Sequence, residues 1–84
     1  MTDSLTRERA GTAIRTALRG FATDAEVAAL KSDENIREAF ELDSLDFLTF
    51  VERLSTDLGV RIDEDDYRAL STMDSTVAFL TARG

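Results

Sequence analysis

The segment from Asp43 to Gly59 constrains the fold of this chain more than any other part of the sequence. Seven large apolar residues recur in it at helical spacing: Leu45, Phe47, Leu48, Phe50, Val51, Leu54 and Leu58. Asp43 stands where an N-cap is expected, Asp46 follows in the first turn, and Gly59 comes directly after the last apolar residue, where a left-handed C-cap is common. Start, apolar stripe and stop agree, so the sequence predicts one long amphipathic helix over Asp43–Leu58.

A first helix is predicted over residues 5–21. Apolar residues occur at positions 10, 13, 14, 17, 18 and 21, and this spacing is helical. Asp3 or Ser4 is the expected N-cap, and Gly20 the expected stop. The opposite side carries four arginines, which we interpret as a solvated face: Arg7, Arg9, Arg15 and Arg19.

Shorter helices are predicted in the rest of the chain. Residues 23–43 are long for a structureless loop, so we expect helical pieces at 24–30 and after a cap at Asp33. The acidic run 63–66 predicts the first turn of a short helix reaching Leu70. A last helix begins at Thr72 or Asp74. The sum is one all-α domain over residues 1–84, a small four-helix bundle with three main helices, a short third helix and a long first loop.

Composition excludes most of the chemistry open to a small domain. The 84 residues include no Cys and no His, which removes disulfides, thiolate nucleophiles, Cys-ligated zinc and the commonest general base. No apolar run approaches the roughly 18 residues of a membrane span. The first residues lack the pattern of a signal peptide, so we expect a cytoplasmic protein.

The formal net charge of −7 is concentrated in residues 41–66, which contain nine acidic and two basic residues. A negative surface disfavours nucleic acid and anionic membranes as partners. It attracts proteins with a positive patch, and we interpret it as a docking surface. Residues 57–68 lack the spacing of an EF-hand, so no metal site is expected.

Ser44 lies at the start of the predicted central helix, within Asp43-Ser44-Leu45-Asp46. A serine there is most often only a capping residue. However, a phosphate at that position would lie at the positive end of the helix. No His, Cys or Gly-x-Ser-x-Gly elbow is present to activate the hydroxyl. An exposed, unactivated serine suits modification by another enzyme better than catalysis.

The Asp-Ser-Leu motif, the amphipathic helix after it and the acidic short helix together resemble an acyl carrier protein over the whole chain. The resemblance implies a monomeric carrier that is not an enzyme. A separate transferase, using magnesium, would attach 4′-phosphopantetheine from coenzyme A to Ser44. The thiol of that arm would carry acyl or aminoacyl groups as thioesters.

The resemblance also implies which residues meet partner enzymes. The transferase would read Asp43 and Leu45. Basic patches of acyl- or aminoacyl-loading ligases or synthases would face Asp46 and Glu52. Leu48 and Ile62 would add apolar contact.

Some positions depart from the family pattern. Glu41 stands where many members have glycine, Thr49 where many have an acidic residue, and Asp63 where proline is common. These differences favour a specialised carrier. The bulk of Phe47 and Phe50, which are expected in the core with the other phenylalanines, favours short or polar cargo.

Two alternatives stay open from the residues alone. One is an acidic interaction module, such as a nucleic-acid mimic, that binds a basic partner without being modified. The other is a small hydrolase using Ser44 and a nearby carboxylate, although the sequence offers neither a histidine base nor an obvious cleft.

Overall fold

Six helices make up the computed structural model, which describes residues 6–83. The predicted all-α architecture is confirmed, with three main helices and a short 3₁₀ helix before the last of them. The bounds are α1 Arg7–Ala17, α2 Asp24–Ala29, α3 Ile36–Ala39, α4 Ser44–Leu58, the 3₁₀ helix Glu64–Leu70 and α5 Met73–Arg83. Helices α2 and α3 are the short pieces predicted within the long first loop.

Helix α4 forms as its local signals predict. The Asp43 carboxylate accepts a hydrogen bond from the Asp46 amide at 2.8 Å, and the Asp46 carboxylate accepts one from the Asp43 amide at 3.3 Å. This reciprocal capping box satisfies a backbone donor that the helix itself leaves unpaired. Gly59 ends the helix at φ +64°, a left-handed conformation that glycine adopts without steric cost.

The ends of α1 and the start of α3 correct the sequence predictions. Thr6 caps α1, since its hydroxyl accepts from the Arg9 amide at 3.0 Å; Asp3 and Ser4, the predicted caps, lie outside the described residues. Helix α1 ends at Ala17 rather than near Gly20. Asn35, not Asp33, caps α3, because its side chain accepts from the Glu38 amide at 3.0 Å.

The core lies between α1, α4 and α5. Small residues on the inner face of α1, Ala10, Ala13 and Ala17, are almost fully buried and allow close packing of the neighbouring helices. The largest side chains with essentially no exposure are Phe50, Ile14, Leu18, Ile36, Leu54, Leu70 and Leu80. Phe47 is also buried, whereas Phe21, Phe40 and Phe79 pack against the core from its edge.

Fewer residues of α4 are buried in the structure than its apolar stripe predicts. Phe47, Phe50, Val51 and Leu54 are buried. Leu45 is 74% exposed and Leu48 is 42% exposed, so these two leucines do not belong to the core. They leave an apolar strip on the solvent side of the helix.

Glu41 has a left-handed backbone, with φ +52°, two residues before the cap of α4. This conformation is unfavourable for a residue with a Cβ atom and costs glycine little. The structure therefore gives a physical reason for the glycine that is common at this position in the family that the sequence resembles.

We expect Glu41→Gly to raise the free energy of unfolding by about 0.5–1 kcal/mol, because relief of the left-handed strain exceeds the added entropy of the unfolded chain. Urea denaturation measures the change. Glu41→Ala is the control, since it removes the charge and keeps the strain. An equal gain in both variants would show that charge, not backbone conformation, is responsible.

Candidate functional site

Ser44 is the first residue of α4 and is exposed to solvent. Its hydroxyl has no hydrogen-bond partner within residues 6–83. The backbone amides of Ser44 and Leu45 point out of the first turn without a protein acceptor in that range, while the Asp46 amide is taken by the cap. The site therefore combines an accessible oxygen with unpaired donors at the positive end of a helix of 15 residues.

The Asp43 carboxylate makes no hydrogen bond to the Ser44 hydroxyl. One of its oxygens, Oδ1, accepts from the Asp46 amide in the capping box. Asp46 is half-buried, and its carboxylate accepts a hydrogen bond from the backbone amide of Asp43. Asp46 thus has a structural role at the start of the helix, and its contact with partner enzymes stays a prediction.

The predicted contact residues fall into two groups. Leu45, Leu48 and Glu52 are exposed and follow one another at spacings of three and four, so they share one face of α4. Half-buried Thr49 lies beside them. Ile62 belongs elsewhere, since it is partly buried and packs against the core from the loop before the 3₁₀ helix.

The acidic stretch 41–66 is less uniform than its composition suggests. Ion pairs engage Asp57 with Arg9 at 2.7 Å, Asp63 with Arg61 at 3.0 Å and Asp66 with Arg83 at 2.8 Å. In residues 6–83, no ion pair is formed by Glu41, Asp43, Asp46, Glu52, Glu64 or Asp65. The unpaired negative charge is therefore distributed over the loop before Ser44, the outer face of α4 and the start of the 3₁₀ helix.

The Arg9–Asp57 pair ties α1 to the end of α4 and corrects the interpretation of Arg9 as part of a purely solvated face. The hydrogen bond from Arg9 lowers the pKa of Asp57 below its ordinary value; burial opposes this, and the charge of Arg9 adds a smaller lowering. A carboxyl with a lowered folded-state pKa stabilises the fold fully above its unfolded-state pKa of about 3.9. That contribution is lost as the pH falls through the lower, folded-state value.

We therefore expect Asp57→Asn to flatten the acid limb of a plot of unfolding free energy against pH, with the difference from wild type largest above about pH 4 and vanishing at lower pH. Urea titrations between pH 2 and pH 7 measure it. Arg9→Gln should reproduce the change, and the double variant should match either single variant. Additive effects of the two substitutions would show that the pair does not act as a unit.

Arg53 is a structural residue that the sequence analysis missed. It donates to the backbone carbonyls of Ala17 at 3.0 Å and Arg19 at 2.7 Å, and its guanidinium lies 5.1 Å from the centre of the Phe21 ring. It thus caps the C-terminal end of α1 from α4. The only indication of this role in the sequence is that Arg53 is the one basic residue of α4, which is otherwise acidic.

Neither Phe47 nor Phe50 lines any of four surface depressions on residues 6–83, which lie along α1, between α1 and α4, on α4, and between α2 and α3. Residues 6–83 hold no cluster of three metal-ligating side chains. No helix among them is long and apolar enough to cross a bilayer.

Comparison with protein families decides what kind of domain this is. Residues 13–80, most of the chain, match the family described as the phosphopantetheine attachment site. The chain belongs to this family. It is a carrier domain of acyl-carrier-protein type, which takes a covalent 4′-phosphopantetheine group and is not itself a catalyst. No curated protein and no solved structure matched the chain significantly.

The first turn of α4 suits the attachment of such a group. The Ser44 hydroxyl is accessible, and the amides of Ser44 and Leu45, which have no acceptor in the described part of the chain, are donors for anionic oxygens. The carboxylates of Asp43 and Asp46 oppose a further negative charge, so the arm would be held loosely by this turn alone. A carrier domain that passes its cargo between enzymes needs a mobile arm.

Proposed function

We propose that Ser44 carries the 4′-phosphopantetheine arm and that the chain presents acyl or aminoacyl groups, held as thioesters, to partner enzymes. One observation carries the assignment. Ser44 is an exposed hydroxyl on the first residue of α4, inside the region that matches the family. The arm supplies the thiol that a chain without cysteine lacks.

The chain positions the Ser44 hydroxyl and does not activate it chemically. The capping box fixes the start of α4 and thereby the place of the Ser44 oxygen. The Ser44 hydroxyl has no acceptor among residues 6–83, so the modifying transferase would supply the base that removes its proton. The serine oxygen would then attack the pantetheine-bearing phosphorus of coenzyme A, the pyrophosphate bond would break, and adenosine 3′,5′-bisphosphate would leave. This is why the domain is a substrate of the transferase.

Partner enzymes would dock on the outer face of α4. Leu45 and Leu48 provide exposed apolar area there, and Glu52 provides negative charge on the same side. Exposed apolar side chains bordered by like charges favour a partner with a basic rim around an apolar contact. The loading enzyme, a ligase or synthase, and the transferase would use overlapping parts of this face.

The cargo proposed for this carrier is short or polar. Phe47 and Phe50 fill the space beneath the first turns of α4, with ring centres 6.1 Å apart. Tyr67 packs against Phe47 in a T-shaped contact, with ring centres 5.3 Å apart. A tightly filled aromatic core leaves little room for a long acyl chain. The filling of the core by these aromatic rings supports the proposal of a specialised carrier.

Incubation with coenzyme A, magnesium and a broad-specificity phosphopantetheinyl transferase is expected to add one arm per chain, measured by intact mass. Ser44→Ala should show no addition and should unfold at nearly the wild-type temperature, since the side chain is exposed. A wild-type protein that several transferases leave unmodified would contradict the proposal. Tight binding of a basic partner that is insensitive to Ser44→Ala would instead support an interaction module.

A further inference from the structure

Arg37, on α3, is a cation without a counter-ion in the described residues. Its side chain is exposed, and within residues 6–83 no carboxylate or carbonyl accepts from its guanidinium. The guanidinium carbon lies 4.9 Å from the centre of the Phe47 ring. Phe47 is in turn held edge-on by Tyr67, at an interplanar angle of 82°. Stacking on a fixed aromatic ring restricts the arginine while its N–H donors stay free.

Two contacts join Arg37 to residues that flank Ser44 in the sequence. The Arg37 carbonyl accepts from the Leu42 amide at 2.9 Å, which folds the segment 37–42 back toward the start of α4. The Arg37 side chain lies over Phe47, which is less than one helical turn after Ser44. The backbone of Arg37 is thus joined to a residue two positions before the serine, and its side chain to one three positions after it.

The negative charge around Ser44 favours a nearby cation once a phosphodiester is attached. Asp43 and Asp46 place two carboxylates on the first turn of α4, with Glu41 shortly before them. A phosphodiester on Ser44 would add one more negative charge, which the partial charge of the helix end offsets only in part. Arg53 already donates to carbonyls at and just after the end of α1, and Arg61 already pairs with Asp63.

We propose that Arg37 is the positioning residue of the arm, pairing through its guanidinium with the phosphodiester attached to Ser44. Guanidinium groups bind phosphate oxygens through two parallel N–H donors, a geometry that lysine cannot reproduce. The pair would hold the base of the arm beside the α3–α4 junction and leave its distal part free. The proposal rests on the proposed function, because the phosphodiester is present only if Ser44 is modified.

The test compares the modified forms of wild type, Arg37→Gln, Arg37→Lys and Arg15→Gln. Arg15 is a matched control because it is an exposed arginine on the outer side of α1, away from the face that packs against α4. The ³¹P resonance of the phosphodiester is expected to shift in Arg37→Gln, to shift less in Arg37→Lys and to stay unchanged in Arg15→Gln. The Nε–Hε signal of Arg37 should move when the unmodified protein gains its arm.

A second readout separates pairing from packing. Attachment of the arm should lower the melting temperature more in Arg37→Gln than in wild type, and equally in Arg15→Gln and wild type. If the ³¹P shift and the effect of the arm on melting are the same in wild type and Arg37→Gln, Arg37 only packs on Phe47 and the proposal is wrong. A wild-type chain that gains no mass would contradict the function itself, which the intact-mass measurement detects separately.

Discussion

Replacement of Phe50 by alanine is expected to leave most of the chain unfolded at 25 °C. Phe50 has no exposed surface and lies on the inner face of α4, the helix that positions Ser44. Truncating a buried phenylalanine costs about 3–5 kcal/mol. A single core of this size supplies a net stability of only about 3–5 kcal/mol, so the loss is comparable with the whole.

Circular dichroism and urea denaturation measure this outcome. Leu45→Ala is the matched control, because it truncates an apolar residue of the same helix that is 74% exposed; its cost should stay within about 0.5 kcal/mol. Phe50→Leu, which keeps most of the volume, should cost less than about 1.5 kcal/mol and remain folded. A cooperative transition near the wild-type midpoint in Phe50→Ala would contradict the described core.

Replacement of Asp43 is expected to separate helix capping from recognition by the transferase. Asp43→Ala removes the acceptor of the Asp46 amide and should cost about 1 kcal/mol of stability. Asp43→Asn keeps an acceptor at the N-cap and should lose only part of that amount. If the transferase reads the carboxylate, both variants should be modified at least about tenfold more slowly than wild type, a loss of about 1.4 kcal/mol in transition-state stabilisation.

Initial rates of arm attachment and urea midpoints, measured on the same preparations, distinguish the two roles. Asp46→Asn is the comparison, since Asp46 is the other half of the capping box but lies on the opposite side of Ser44 in the sequence. Wild-type rates in Asp43→Asn would mean that Asp43 serves the helix alone. In that case the recognition role implied by the family would not apply to this chain.

Helix α4 was predictable because its determinants are local. The cap, the apolar period and the terminal glycine all lie within residues 43–59, and each acts over one helical turn. The family resemblance rested largely on this segment, together with the acidic short helix after it, and the family match over residues 13–80 confirms it. The position of Ser44 at the helix start followed directly.

Other features depend on tertiary contacts, which the spacing of apolar residues along the sequence does not predict. Asp33 and Asn35 are both competent caps, but Asn35 is selected because the Ile36 amide donates to the Ser71 carbonyl at 2.7 Å, which fixes the start of α3. Leu45 and Leu48 fit the apolar stripe, yet α4 has packed neighbours on one side only, and both leucines remain exposed.

The arginines illustrate the same limit. Arg9 meets Asp57 across 48 positions of sequence, and Arg53 reaches the carbonyls of Ala17 and Arg19, which are more than 30 positions away. No local pattern distinguishes these arginines from Arg15, which has no carboxylate partner in residues 6–83. The number of charged residues therefore predicts where the acidic stretch lies, but it does not predict which of its carboxylates form ion pairs.

The central claim, that Ser44 holds the arm, is tested most directly by mapping the modified residue. Wild-type protein treated with transferase and coenzyme A would be digested and fragmented by mass spectrometry with the phosphoester intact. The arm is predicted on Ser44 and nowhere else. An arm on another hydroxyl, such as Ser55, Ser71 or Ser75, would contradict the claim even though the domain still carried phosphopantetheine.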